Sequence, residues 1–401
     1  VAELISALTG LLIAIELGLA SIVAYLLLLT VAALFAKRTT ERRDGAPSTR
    51  FVIMAPAHDE ERLLPQLLES LAQMDYPREL YATHVAADNC SDRTAEVGRA
   101  RGAIVHERFN AELRGKGYAL EWLLQQIWER GVEHDAIVIL DADSIVSPNF
   151  LSVMDARMSR GERVVQAYYA VRAPESSRSA GIRAAALTVL HYLRPLGRMA
   201  LGGSTGLKGN GMVFAADILR KHRWTASLTE DIEYHMKLIR AGERAVFAPD
   251  AVVWAEMPDS LRASKTQNER WERGRMEMIK SYLPGLIGEG LRSRSFLLLD
   301  AAIEQLIPPF SVVAGLSVAA LLSALLLGSR DAAVLAAAII AGQAIYIFAG
   351  LLMARAPLSV YKSLIFAPFF VAWKLVLYGR LLLGIRPRDW VRTARNQDSH
   401  P

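Results

Sequence analysis

Ala136-Ile137-Val138-Ile139-Leu140-Asp141-Ala142-Asp143 is the stretch whose reading decides the fold. Its unbroken apolar run has the composition of a strand buried on both faces, as parallel strands covered by helices are. Asp141 and Asp143 follow at i and i+2, so if strand geometry persists both carboxylates project to the same side. Two carboxylates there make a hard-oxygen site for Mg²⁺ or Mn²⁺, which bridges naturally to a diphosphate. Solvated acids opening a turn would have the same sequence, and the strand context is what raises the metal reading.

Working outward, 51–56 reads as a second buried strand, followed by a helical pattern over about 60–73. A strand at 81–87, a helix at 94–101, a strand at 103–106 and a helix at 118–130 lead up to the 136–140 strand. Val164 begins a further strand ending at Val171. Alternating β and α units of this length predict a Rossmann-like, mostly parallel, doubly wound sheet that binds ligands beyond the carboxyl ends of its strands. The segment 179–200 is helical, with Arg183, Arg194 and Arg198 among apolar residues. It reads equally as an amphipathic helix on a membrane or as a surface helix of the domain. The Gly-rich stretch 202–211 contains no Gly-Lys-Ser/Thr triplet and is not a phosphate loop.

This soluble-looking middle sits between apolar ends. The 401 residues are 52% hydrophobic with a mean hydropathy of +0.21, and the excess gathers in 1–36 and 296–385. Residues 4–36 are long enough to span a bilayer and too long for a signal peptide. Lys37, Arg38, Arg42 and Arg43 follow them, which places the middle domain in the cytoplasm by the positive-inside rule. Segments near 309–328 and 332–354 read as two more spans joined outside. The stretch 358–385 holds Pro368, Lys374 and Arg380, and with a basic C-terminal tail it reads as re-entrant or interfacial. The expected organisation is a transmembrane helix at 1–38, an α/β domain at 50–280 and an interfacial segment at 281–308. Membrane and re-entrant helices at 309–385 and a cytosolic tail at 386–401 complete a multi-pass protein of the inner membrane.

The charge of +5 does not imply nucleic acid, because many of the basic residues lie beside hydrophobic segments, where they fix topology and meet anionic lipid or phosphate. A single cysteine, Cys90, excludes an intrachain disulfide and any cysteine-based zinc cluster.

Other side chains carry chemistry in a particular order. Asp88 follows the second strand, where its carboxylate is able to accept from a base N–H or to close an Asx turn. Lys116 lies between Gly115 and Gly117, suited to phosphate or simply to an exposed turn. Thr229-Glu230-Asp231 precedes a helical run, with Ser227 and Glu230 at capping-box spacing. Asp231 also suits a general base, because an acceptor hydroxyl must lose its proton as it attacks an anomeric carbon. Gln267, Arg270 and Trp271 share one helical face and offer an amide, a guanidinium and an indole, a set suited to a diphosphate and a sugar or to the headgroup level of a membrane.

Taken in order, Pro56-Ala57-His58-Asp59-Glu60, Asp88, Asp141-Ala142-Asp143, Thr229-Glu230-Asp231 and Gln267 through Trp271 resemble the family 2 inverting glycosyltransferases of GT-A fold over roughly 50–280. More narrowly, the chain is similar to membrane-integrated synthases related to cellulose, chitin and hyaluronan synthases. The resemblance implies donor-binding roles for Ala57, Glu60, Asp88, Lys116, Asp141 and Arg270, with Asp88 at the uracil and Asp141 near diphosphate and ribose. It implies metal binding at Asp143, a base at Asp231, and Glu230, Gln267 and Trp271 around donor and acceptor. The tail 390–395 is similar to a gating tail of hyaluronan and Nod-factor chitin synthases. The segment 208–214 lacks the cysteine found in several polymerising relatives, which leaves the acceptor open. The expected activity is metal-dependent inverting transfer from a UDP-sugar, favouring processive polysaccharide synthesis over glycosylation of a membrane lipid. A transporter or receptor using Glu16, Asp300, Glu304 and Lys374 is the competing class.

Overall fold

The structure, a computed structural model, describes residues 2–40, 45–224, 229–257 and 265–382; the side chains of Ala2, 265–267, Arg270 and 381–382 are outside that description. Eight strands form one sheet: β1 Phe51–Ala57, β2 Tyr81–Asp88, β3 Ile104–Arg108, β4 Ala136–Ile139, β5 Ser144–Val146, β6 Val164–Val171, β7 Met212–Ala215 and β8 Ala245–Ala255. Their order is β3-β2-β1-β4-β7-β6-β8-β5.

The uninterrupted apolar runs of β1 and β4 arise because both sheet faces are covered. Phe51, Ile53, Ala55, Val138 and Leu140 pack on one side with Leu64, Leu67 and Leu71 of the helix Leu64–Ala72. Val52, Met54, Ile137 and Ile139 pack on the other with Leu120, Leu123, Leu124 and Ile127 of the helix Lys116–Glu129. Alternate residues therefore serve opposite cores.

The mostly parallel sheet expected from the sequence is corrected to a mixed one. β3, β2, β1 and β4 run parallel, but β7 enters antiparallel between β4 and β6, and β5 pairs antiparallel with β8. β6 and β8 are parallel, with a register irregularity at Ala167/Tyr168. The chain goes from β1 through β2 to β3 on one side and returns to β4 on the other, so β1 and β4 flank a switch point where the carboxyl ends diverge and a ligand fits.

Among the described residues, three helices are long and apolar enough to cross a membrane: Glu3–Leu34, Arg330–Met353 and Leu358–Arg380. The last is the segment read from sequence as re-entrant, and its length and composition suffice for a span. Phe310–Leu326, read as a clear span, has only 17 residues and reaches spanning length together with Phe296–Leu306, from which it is bent by 59°. The boundary expected at 280 falls inside the continuous helix Lys265–Ser293. The apolar helices are packed onto the sheet domain: Leu26 and Ala33 meet Val189, Leu193, Leu196, Phe247 and Tyr346. Three of the ionic residues proposed for a transport pathway join these parts, with Arg198 on Asp300 at 2.6 Å, Arg194 on Glu304 at 3.4 Å and Lys374 on Glu272 at 3.2 Å, while Glu16 is buried with neither carboxylate oxygen hydrogen-bonded among the described residues.

Candidate active site

β1 and β4 end in a cavity of about 760 Å³. His58 and Glu60 enter it from the end of β1, Asp141 and Asp143 from the end of β4, and Lys116 from the first turn of its helix. The strand stops at Ile139, and Ser144 N donates to Asp141 O at 3.1 Å to close a turn. Asp141 and Asp143 thus share the cavity through this turn and not through continued strand alternation. Lys116 Nζ donates to Asp141 Oδ1 at 2.5 Å and to Gly209 O at 2.5 Å. Asn210 supports the same turn: its Oδ1 accepts from Asp141 N at 3.1 Å, and its Nδ2 donates to Ser144 Oγ at 2.8 Å.

Glu230 and Asp231 open the helix Glu230–Arg240, whose positive end favours carboxylates. A Cβ on Gly209, which has φ +77, would lie 3.3 Å from Asp231 Oδ2 and 3.6 Å from Lys116 Nζ, so this glycine lets the backbone pass between the two charges. Burial pushes Glu230 up to about 7, opposed by Lys116 and reinforced by Asp231. Asp231 is raised for the same first reason, with Lys116 and Lys208 opposing. Burial pulls Lys116 down, but Asp141 and Glu230 outweigh it and the ammonium is held above its ordinary range. Lys208 is pulled down to about 8 by burial, against Glu304, with Arg198 and Arg194 adding to the fall.

The cavity therefore unites Glu60, Lys116, Asp141, Asp143, Glu230, Asp231 and Trp271, the last 37% exposed on the helix Lys265–Ser293. Ala57 and Asp88 lie behind its wall. The Asp88 carboxylate is buried against Arg108 Nη1 at 2.5 Å and accepts from Asn89 Nδ2 at 3.0 Å, while its carbonyl meets His58 Nδ1 at 2.7 Å. Gln267 and Arg270 belong to the same helix as Trp271, but their side chains, like Ser227 and the tail 386–401, lie outside the described residues.

Sequence reasoning gave Lys208, Gly209 and Asn210 no role of their own, naming them only within the absent phosphate loop and the acceptor-side segment 208–214, and left Arg183 and Arg194 as parts of a helix of unassigned use. The positive φ values of Gly206, Gly209 and Gly211 were signalled only by the glycine spacing of this stretch.

The donor set suits a hard cation. Asp141 and Asp143 provide two carboxylates without a closed cage, as a Mg²⁺ or Mn²⁺ site completed by phosphate oxygens and water requires. Among the described residues, the close cluster of potential ligand groups is elsewhere, at Asp59, Cys90 and Asp92. There Asp59 Oδ1 accepts from Ser91 N at 2.7 Å and Asp92 Oδ2 from Glu61 N at 3.0 Å, which ties the loops after β1 and β2 together.

A GT-A-like sheet with carboxylates and a lysine gathered at its switch point is the architecture of a glycosyltransferase. The chain belongs to the family described as Glycosyltransferase like family 2, which it matches over residues 47–274. It is similar to the probable glycosyltransferase YdaM of Bacillus subtilis, 22% identical over 243 residues that make up 58% of this chain and 56% of that protein. The chain thus spans little more than half the length of that relative. It is 24% identical over 331 residues to the beta-monoglucosyldiacylglycerol synthase of Trichormus variabilis, covering 75% of this chain and 69% of that protein. The mannosyltransferase PcManGT of Pyrobaculum calidifontis, solved with GDP-Man and Mn²⁺, shares the fold with a TM-score of 0.54 at 18% identity, over 88% of this chain and 99% of that one.

Proposed function

We propose that the chain transfers a sugar from a nucleoside diphosphate sugar, UDP favoured, to a hydroxyl of a membrane lipid, inverting the anomeric centre. The observation that carries this reading is the continuity of the cavity. From Asp141, Asp143 and Asp231 it runs to walls made by Leu187, Leu190, Ile347, Leu364, Phe370 and Val371. These apolar walls suit an acyl or prenyl chain, whereas a growing polysaccharide would lose the hydration of its hydroxyls against them. The cavity therefore favours the lipid acceptor over the polymer that the sequence resemblance put first. The glucosyldiacylglycerol named for the Trichormus relative is consistent with it. In this arrangement the sheet domain faces the cytoplasm, with Lys37 and Arg38 at the end of the first apolar helix.

In the proposed reaction an acceptor oxygen bonds to the anomeric carbon as the bond from that carbon to the diphosphate oxygen breaks. Asp231 takes the hydroxyl proton, and the nucleoside diphosphate leaves with the electron pair. Lys116 is placed to hold the diphosphate beside Asp141, Trp271 to stack on a sugar, and Glu230 to set the protonation of Asp231. A bound Mg²⁺ or Mn²⁺, held by Asp143 with Asp141 beside it, supplies electrostatic stabilisation of the leaving diphosphate. For Ala57 and Asp88, which do not line the cavity, and for Gln267 and Arg270, the donor and acceptor roles that the resemblance implies are kept as proposals.

Incubation of the purified full chain with UDP-sugars and GDP-mannose, followed by lipid extraction, tests this reading. A sugar-labelled lipid is expected. Polymer with no labelled lipid would return the acceptor to the polysaccharide class.

Chelation with excess EDTA is expected to abolish turnover, restored by Mg²⁺ or Mn²⁺, and Asp143→Ala should weaken nucleotide binding measured in the presence of metal. Full turnover in EDTA would refute the metal role.

The rate should also report the raised carboxylates. A base works only when ionised, so kcat falls as pH drops through the pKa of the Glu230–Asp231 pair, which burial places above the ordinary carboxylate range. The acid limb is expected near neutrality. Lys116 opposes that rise, so Lys116→Met should move the limb to still higher pH. A limb at ordinary carboxylate values in the wild type, or one unmoved by the substitution, contradicts this assignment.

A further inference from the structure

Among the described residues, Arg183 in the cavity has no counter-ion. Arg183 is 5% exposed, lines the cavity, and neither its Nε nor its Nη2 has a hydrogen-bond partner among the described residues. Burial pulls its pKa down to about 10, and no carboxylate among the described residues opposes it. The nearby Lys374 adds positive charge, and the acid beside that lysine, Glu272, is already paired with it at 3.2 Å. Arg194 further along the same wall shows the contrast: it donates to Tyr346 Oη at 3.0 Å and pairs with Glu304.

Position says what the missing partner looks like. Arg183, Leu187, Leu190 and Arg194 all line the cavity at helical spacing, so the guanidinium ends an apolar stripe. Eleven residues of helix carry that stripe roughly 16 Å. A guanidinium with free N–H groups is matched by a phosphate or carboxylate, to which it donates in bidentate fashion. A buried unpaired cation is unfavourable until such an anion arrives.

We propose that the lipid acceptor is an anionic amphiphile whose phosphate or carboxylate pairs with Arg183 while its hydrocarbon lies along Leu187 and Leu190. This rests on the lipid-acceptor reading above and adds a headgroup class to it.

The test uses the full chain in an uncharged maltoside detergent, as wild type, Arg183→Gln and Arg183→Lys. Binding of dodecyl phosphate, dodecanoate, uncharged dodecylglycerol, inorganic phosphate and UDP is measured by calorimetry, with thermal unfolding of each unliganded protein alongside. Dodecyl phosphate or dodecanoate should bind the wild type, and about tenfold or more weakly to Arg183→Gln, with partial recovery in Arg183→Lys. Which of the two binds more tightly identifies the headgroup. Inorganic phosphate should bind far more weakly than the amphiphile, and UDP equally to wild type and Arg183→Gln. Unliganded Arg183→Gln should unfold at a temperature no lower than wild type, because it removes an unpaired buried charge.

Equal binding of the anionic amphiphiles by wild type and Arg183→Gln, or no binding by either, overturns the proposal. So does dodecylglycerol binding as tightly as dodecyl phosphate, inorganic phosphate binding as well as the amphiphile, or a parallel loss of UDP affinity, which would assign Arg183 to the donor. A lower unfolding temperature for the unliganded variant would make Arg183 a structural group. These readouts require no sugar transfer, so they separate from the lipid-acceptor reading. Conversely, equal glycosylation of diacylglycerol and phosphatidylglycerol would overturn the anion requirement and leave lipid transfer standing.

Discussion

Asp231→Asn is expected to bind nucleotide with near wild-type affinity and to transfer sugar ~10²–10⁴-fold more slowly, the usual loss when a general base is removed. The substitution keeps the size of the side chain and its ability to accept from backbone N–H groups at the start of the helix Glu230–Arg240, so stability should change little. The electrostatics make the same point from another direction. Burial raises Asp231 and its neighbour Glu230 together, with Lys116 opposing the rise in both and Lys208 opposing it in Asp231, which makes the Asp231 carboxylate more basic than an ordinary one. Asp141 lies against Lys116 at 2.5 Å and has the setting of a charge-holding group. Measuring kcat beside nucleotide affinity on matched folded protein checks the assignment. A variant with unchanged kcat but lowered stability would make Asp231 a helix-capping residue only.

Much of this arrangement is legible in the sequence where both faces of an element are buried. β1 and β4 are read from unbroken apolar runs because each side of those strands meets a helix layer. β7 and β8 are not read. β7 is four residues long and follows a stretch of glycines, and β8 carries Pro249 and Asp250 where its register with β6 shifts. Without those two strands the antiparallel insertion is invisible, and alternation alone predicts a parallel sheet. The carboxylates were found because they stand beside readable strands and helices. Lys208, Gly209 and Asn210 were not, because their use depends on partners at Glu304, Lys116 and Ser144, distant along the chain. The same holds for Arg183, whose arginine in an amphipathic pattern implies a solvated face; only the packed helices reveal that it is buried without a partner.

The helix Lys265–Ser293 is where the sheet domain and the apolar helices meet, and its seating governs the catalytic geometry. Trp271 lines the cavity from it, Glu272 pairs with Lys374, and Arg275 donates to the carbonyls of Gln305 and Ile307. One turn beyond Trp271, Gly274 allows this helix to lie directly on Thr229, the residue before Glu230 and Asp231. A Cβ on Gly274 would meet Thr229 Cγ2 at 2.1 Å and its Oγ1 at 2.9 Å. Neither separation is tolerable, so Gly274→Ala must push the helix away or displace the start of the carboxylate-bearing helix. Overpacking of this kind costs about 1–3 kcal/mol, and a displacement of about 1 Å at reacting groups costs roughly 10²-fold in rate. Gly274→Ala is therefore expected to retain the fold and lose about 10²-fold in transfer. Thr229 Oγ1 is buried without a hydrogen-bond partner among the described residues, so Thr229→Ala should be mild, removing Cγ2 and the hydroxyl together. The double variant should recover most of the lost rate, a non-additivity that only two groups in contact produce. Full activity in Gly274→Ala, or a double variant no better than the single one, would show that the seating of this helix on Thr229 does not set the position of Asp231.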